Sequence, residues 1–274
     1  MVPTTLAKSK YYTGFIQEKC KTITFKDLGL FFFHTCRGEI FREILSSGRL
    51  SATECEEFHE KLLYLFYGRP AYRVAGDKTT RDPGRFPVCF VIKSAAAKDI
   101  RRVFPFDSGA FLRNILEEYC GTFSTKEAAM MALSDYQLGT DLDILAKFIA
   151  LFYGGDAQYL KVTPILENED LKGLCFELSR MLDMAKSQSA KIWDNRALTS
   201  EIQVQSSIDF DGAAIEALII PTQLISGDTE LQEFLYDSDI SVLSYDVARM
   251  KPESATDLID RIAADYHVGR GIAR

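Results

Sequence analysis

Short apolar and aromatic runs crowd both ends of this chain, and a long stretch of helical periodicity separates them. That arrangement argues against a regular alternation of strand and helix. It predicts an α+β fold in which a helical insertion interrupts a sheet. Toward the front, Gly29–Thr35, Leu62–Tyr67 and Val88–Lys93 read as strands. Toward the back, Glu201–Val204, Ile215–Ile220 and Ser241–Tyr245 do, followed by a helix near Ser254–Ala264. From Ala110 to Tyr153 the pattern is helical. Asp170–Lys186 places Leu171, Leu174, Leu178 and Met181 or Leu182 on one helix face.

The punctuation between these runs is specific. Glu39–Ser46 predicts a short amphipathic helix with Gly48 at its C-terminal cap. Ser51 and Glu54 have capping-box spacing and predict another helix start, as do Ser124 and Glu127. Gly76–Pro87, rich in Gly, Pro and charge, predicts a loop. No internal repeat or low-complexity linker divides the chain. Its 274 residues, 47% hydrophobic and 26% charged, therefore fit one large domain, 1–274, with the insertion at about 110–186. Neither G-x-G-x-x-G nor a Walker motif is present, which argues against dinucleotide-fold and P-loop architectures.

The formal net charge of −7 disfavours broad, nonspecific nucleic-acid binding. It leaves room for a local basic groove from Arg69, Arg73, Lys78, Arg81 and Arg85, or from Lys98, Arg101 and Arg102, although solvated loop charge is the plainer role for such clusters. The cysteines show no CxxC spacing and no accompanying histidine cluster, so reduced structural thiols are expected and a metal site is not. Apolar runs such as Leu28–Phe33 and Ala214–Pro221 are too short to span a bilayer, and Met1–Lys10 lacks the apolar core of a signal peptide. A cytoplasmic protein without a membrane partner is expected.

Three segments carry residues of chemical interest. Phe31-Phe32-Phe33-His34-Thr35 delivers a histidine to a strand end. Leu62–Tyr67 is dense in aromatics and runs into Gly68-Arg69-Pro70-Ala71-Tyr72-Arg73. Ser200-Glu201-Ile202-Gln203-Val204 opens a strand with an acid, and Ile215-Glu216-Ala217-Leu218-Ile219-Ile220-Pro221 follows shortly. Taken singly, each has an ordinary role. A lone strand-end histidine is usually structural, strand aromatics are usually core, and a glutamate at a strand start is usually exposed, with no structural partner.

Their order in one chain resembles the ADP-ribosyltransferase superfamily of the diphtheria-toxin type, in which a histidine, a tyrosine and a glutamate stand on three separate strands. Glu39–Leu50 is similar to the helix, glycine and leucine that follow the histidine in many members. The chain is especially similar to the DarT-type toxins that modify nucleic acid, where an aromatic strand runs into an arginine and a proline. The resemblance covers Leu28–Arg73 and Arg196–Pro221, and does not extend to the helical middle or to the tail after Leu224.

The resemblance implies a split β-sheet core and a chemistry: NAD is cleaved between nicotinamide and ribose, and ADP-ribose passes to an acceptor. Bond breaking builds positive charge on the ribose, which a carboxylate stabilises; by resemblance this is Glu201. His34 hydrogen-bonds the nicotinamide-side ribose, with the Thr35 backbone near the carboxamide. An aromatic ring stacks on nicotinamide and keeps the leaving group oriented and dry. Tyr64, Phe66 and Tyr67 compete for that place, with Tyr64 ranked first; strand alternation sets Tyr64 and Phe66 on one face and Tyr67 on the other. Arg69 holds the pyrophosphate or assists catalysis. No metal is called for.

Arginine-modifying members carry an acidic or amide residue two places before the catalytic glutamate. Thr199 stands there, which leaves nucleic acid, another side chain or water as acceptor. A toxin or defence effector acting on DNA or RNA is thus implied, with a neutralising antitoxin protein expected by analogy. An NAD glycohydrolase and a non-catalytic binding module of the same fold are the alternatives. The three motif strands are expected to line one cleft. Phe104–Ala110 is expected to be an ordered loop beside it, with Asp107 or Ser108 capping the next helix.

Overall fold

The computed structural model describes residues 19, 23, 28–167, 176–188, 194–247 and 249–272. They form a mixed α/β structure built on a mostly antiparallel sheet. In chain order the elements begin with β1 (Phe32–Arg37), α1 (Gly38–Ser47), β2 (Arg49–Leu50), β3 (Thr53–Cys55), β4 (Glu60–Tyr67), β5 (Pro87–Ile92) and β6 (Ile100–Phe104). The helices α2 (Ser108–Leu112), α3 (Glu117–Cys120), α4 (Lys126–Ser134), α5 (Leu142–Tyr153), α6 (Asp156–Leu160) and α7 (Phe176–Gln188) follow. The chain then returns through β7 (Glu201–Val204), β8 (Ile208–Asp209), β9 (Ile215–Pro221), α8 (Thr222–Ile225), α9 (Thr229–Asp237), β10 (Ser241–Tyr245) and α10 (Ala255–Gly269). Two compact units result. The first takes the chain up to Gly29 and Arg101–Ile202; the second takes Leu30–Ile100 and Gln203–Arg274. Among the described residues no helix is long and apolar enough to cross a membrane.

In the second unit the strand order is β10-β9-β5-β1-β4, with β3 paired to β4. Only the β10–β9 pair is parallel; β9–β5, β5–β1, β1–β4 and β3–β4 are antiparallel. Every residue of β5 and β9 is buried, as expected for central strands covered on both faces. On one face, Ala255, Ile259 and Ala263 of α10 recur every fourth residue and pack with Phe33, Cys89, Val91, Ala217 and Ile219. Burying each branched side chain there contributes roughly 1.5–3 kcal/mol. The other face carries an aromatic cluster: the Phe90 ring centroid lies 6.0 Å from Phe41 and 5.6 Å from Phe210. Phe41 comes from α1, whose buried Phe41 and Ile44 alternate with exposed Glu39, Arg42 and Glu43. That helix stops at Gly48, which adopts φ 67° and donates its N–H to the Ile44 carbonyl, a left-handed cap that suits glycine.

The strands at Glu201–Val204 and Ser241–Tyr245 have the bounds read from the sequence. Several other expectations need correction. The first strand begins three residues later than Gly29, because the Leu30 N–H donates to the Tyr67 hydroxyl rather than to a ladder. Ser51 and Glu54 do not open a helix. Thr53–Cys55 pairs with Glu60–Leu62, and this local hairpin satisfies the backbone groups that a helix would have used. The cap of α4 is Thr125, whose hydroxyl accepts from the Ala128 N–H, so Glu127 falls one place short of the reciprocal position. β6 was hidden by consecutive arginines, Arg101 and Arg102, which mask the alternation of a strand. The final helix runs on to Gly269, because its buried stripe continues to His267. Of the helix expected at Asp170–Lys186, residues 170–175 lie outside the described residues, while Leu178, Met181 and Leu182 are fully buried.

The first unit holds α2 to α7. Phe106, Phe111 and Tyr136 pack ring on ring with centroids 5.1–5.6 Å apart. A second aromatic group joins Phe152, Tyr153 and Tyr159 at 4.8 and 5.1 Å. α5 is capped by Asp141, whose carboxylate accepts from the Ile144 N–H at 2.9 Å.

Candidate functional site

β1 and β4 are neighbours over only two register pairs, Phe32 with Tyr67 and Phe33 with Phe66. Beyond Phe33, β1 keeps β5 as partner while β4 keeps β3. His34 stands at the fork. In place of a further ladder pair, its Nδ1 donates to the Tyr64 carbonyl at 2.9 Å. A carbonyl only accepts, so that partner assigns the proton to Nδ1 and leaves Nε2 an acceptor. Burial pulls the imidazole below its ordinary pKa, opposed by the bond to Tyr64, so the ring is neutral at pH 7.

A cavity of about 700 Å³ lies at this fork, wholly within the second unit. β1 contributes His34, Thr35, Cys36 and Arg37 to its lining, β4 contributes Leu62, Leu63, Tyr64 and Phe66, and residues from α1 to β3 supply the rest with Tyr72. The Tyr64 hydroxyl shares a hydrogen bond with Cys55 Sγ at 2.8 Å, which holds the ring to β3. Thr35 is buried and Phe66 is almost wholly so. Tyr67 does not line the cavity. Its ring is buried beside Phe32 and its hydroxyl accepts from the Leu30 N–H at 3.2 Å. Arg69 is also buried, on the turn at Gly68, and its N–H donates to the Tyr67 carbonyl. Of the wider basic run, Lys78, Arg81 and Arg85 are exposed.

The Gly68 turn is braced from α10. His267 Nε2 donates to the Gly68 carbonyl at 3.1 Å, and the imidazole lies between Phe31 and Phe33. Its Nδ1 is buried without a hydrogen-bond partner among the described residues. Protonation would place a new N–H there with no acceptor, and burial holds the group down to a pKa of about 4. The sign is therefore set. The unfolded chain takes up this proton near pH 6.5 and the folded one only near 4, so stability falls as pH drops between the two, by about 3 kcal/mol for a shift of this size. Urea midpoints at pH 7.5 and 4.5 should show this loss, and His267→Gln should flatten it. His34 acts in the same direction, so the slope shrinks without vanishing. An unchanged slope in His267→Gln would remove His267 as its source.

Glu201 belongs to the first unit, and the structure corrects its expected exposure. It is 1% exposed at the start of β7. The Ser108 N–H donates to its Oε2 at 3.0 Å, and Ser108 Oγ donates to its Oε1 at 2.6 Å. The glutamate thus has a structural partner that a strand-start acid read in isolation does not suggest. The expected cap is Asp107, which accepts from the Ala110 N–H at 2.8 Å and whose carboxyl is pushed up by burial. Sequence reasoning named Ser108 only as an alternative cap; a small hydroxyl before Gly109 was the available signal. Thr199 is buried and donates to the Asn195 carbonyl at 2.6 Å.

The thiols of Cys36, Cys55, Cys89 and Cys120 are free. Burial pushes Cys89 up to about 12 and Cys120 to about 11, which keeps both unreactive near neutrality. Cys20 and Cys175 lie outside the described residues. Among the described residues no cluster of His, Cys, Asp and Glu is suited to a metal ion. No family model matches the chain, and neither a curated protein nor a solved structure proves similar to it.

Proposed function

We propose that the chain is an NAD-dependent ADP-ribosyltransferase that moves ADP-ribose from NAD to DNA or RNA, as a toxin or defence effector. The observation that carries this reading is the fork between β1 and β4, with neutral His34 tied to the Tyr64 carbonyl on the wall of a cavity that Thr35, Tyr64 and Phe66 also line. The resemblance implied a split β-sheet core and a histidine at a strand end, and the parting of β1 from β4 at His34 supports that reading. The cavity volume falls within the roughly 300–1,000 Å³ of small-molecule sites.

The residues suit the groups of NAD. His34 Nε2, an acceptor, takes a hydrogen bond from a ribose hydroxyl. Tyr64, held by Cys55, offers a ring face to nicotinamide, and Phe66 supplies apolar floor. Arg37 and Arg49, both exposed side chains on the lining, suit a pyrophosphate. Tyr67, engaged in the core, is the weakest of the three aromatic candidates. Glu201 is assigned the charge-stabilising carboxylate from the order of motifs along the chain. A nucleic-acid acceptor gains support from Tyr72. It is 49% exposed, lines the cavity, and precedes a loop with Lys78, Arg81 and Arg85 exposed. An accessible ring on the wall of the cavity is a stacking platform for a base.

The test is incubation with adenylate-labelled NAD and separate pools of single-stranded DNA, RNA and protein, with nicotinamide release followed in parallel. Label entering DNA or RNA is the expected result. Label in protein would move the acceptor class, and nicotinamide release without transfer would make the chain an NAD glycohydrolase. Neither release nor transfer would overturn the proposal in favour of a binding module.

A further inference from the structure

We propose that Ser108 is the positioning residue for Glu201, fixing that carboxylate for its work on ribose charge; this rests on the ADP-ribosyl transfer reading above. One residue grips both carboxylate oxygens, the N–H on Oε2 at 3.0 Å and Oγ on Oε1 at 2.6 Å. Two points of attachment fix the plane of the carboxylate as well as its location.

The grip is itself rigid. The Asp107 N–H donates to the Arg196 carbonyl at 2.9 Å, and the Asp107 side chain caps α2, so the backbone that presents Ser108 is held on both sides. Asn195, Thr199 and Ser200, which lead into Glu201 along the chain, are all buried, and the Ser200 N–H donates to the Tyr159 hydroxyl at 3.0 Å. A plain tie between β7 and α2 does not call for a carboxylate, because a neutral amide bonds the same two groups, its oxygen accepting from the N–H and its nitrogen donating to Oγ, at lower desolvation cost. A carboxyl clamped in this place by two donors has the form of a preorganised electrostatic group.

The experiment measures nicotinamide release by the full chain for wild type, Ser108→Ala, Ser108→Thr, Ser108→Cys, Glu201→Gln and the Ser108→Ala/Glu201→Gln pair, with melting temperatures alongside. Ser108→Ala should lower kcat about 10- to 100-fold, with KM for NAD changed less than about threefold. Ser108→Thr, which keeps the hydroxyl, should recover most of that loss, and Ser108→Cys, a weaker donor, a smaller part. In the Glu201→Gln background Ser108→Ala should change turnover less than about twofold, since Ser108 acts only through the charge it holds. A merely structural tie predicts instead that the Ser108→Ala loss recurs undiminished in that background and tracks melting temperature across the series. Either of those results, or a changed KM with unchanged kcat, overturns the positioning role. If Ser108→Thr misfolds, the Ser108→Cys variant and the double-mutant comparison still decide. Failure of the wild type to release nicotinamide sinks the transfer reading and the positioning role together, whereas release indifferent to Ser108 sinks the positioning role alone.

Discussion

Glu201→Gln should lower nicotinamide release from NAD by about 10²–10³, or roughly 2.7–4 kcal/mol of transition-state stabilisation, while NAD affinity stays within a few-fold. The substitution removes charge and keeps size. At Ser108 its structural cost is small. The amide oxygen accepts from the Ser108 N–H in place of Oε2, and the serine hydroxyl, which donates to Oε1 in the wild type, turns to accept from the amide nitrogen. Both Ser108 groups therefore keep partners, and the loss at this contact should be about 1 kcal/mol or less. Glu201→Ala is a different experiment, because it leaves the buried Ser108 N–H without its partner and adds a penalty of about 1–3 kcal/mol. Turnover and NAD binding measured side by side for wild type and Glu201→Gln separate the roles. A fall in turnover with a small shift in melting temperature identifies a charge at work. Equal turnover removes Glu201 from the mechanism and leaves it as a tie between β7 and α2.

What the sequence disclosed, and what it withheld, follows from the range of the interactions involved. The α1 helix and its Gly48 cap are local events, settled by Phe41, Ile44 and one left-handed residue, and they were legible. So were β4, by its run of apolar and aromatic residues, and β7, by its alternation of polar and apolar ones, neither of which needs a partner to be recognised. Ser51 and Glu54 misled because capping-box spacing is a local signal, whereas the preference of Thr53–Cys55 for β4 is set by pairing. Within the candidate site, His34, Thr35, Tyr64 and Phe66 were named from order and type, and the cavity brings all four to its wall. The distinction between Tyr67 and Tyr64 turned on a contact 37 residues away in sequence, the bond from Leu30. The link from Ser108 to Glu201 spans 93 residues, and no spacing rule reaches that far. His267 likewise reads as one more polar residue near a helix end until the buried carbonyl of Gly68 is found beside it.

Phe90→Ala should destabilise the protein by about 3–5 kcal/mol and also disturb His34, two effects that separate by comparison with Val91→Ala. Phe90 is fully buried on β5, with Phe41, Phe210 and the His34 imidazole at ring-centroid distances of 6.0, 5.6 and 6.2 Å. Its removal takes away a shared wall, and the neighbours collapse only in part. Val91 is equally buried, but strand alternation turns it to the opposite face, where it packs with Phe33, Ala217 and Ile259. Truncating Val91 costs stability through that second layer and leaves the imidazole's surroundings alone. The readout that tells the two apart is the titration of His34. Burial is the main cause of its lowered pKa, so loss of the Phe90 ring should let it rise toward its ordinary 6.5, while Val91→Ala should leave it where it was. NAD affinity should follow, weakened in Phe90→Ala beyond what Val91→Ala produces once binding is measured on fully folded protein at low temperature. An imidazole that titrates alike in both variants would show that Phe90 is core and nothing more.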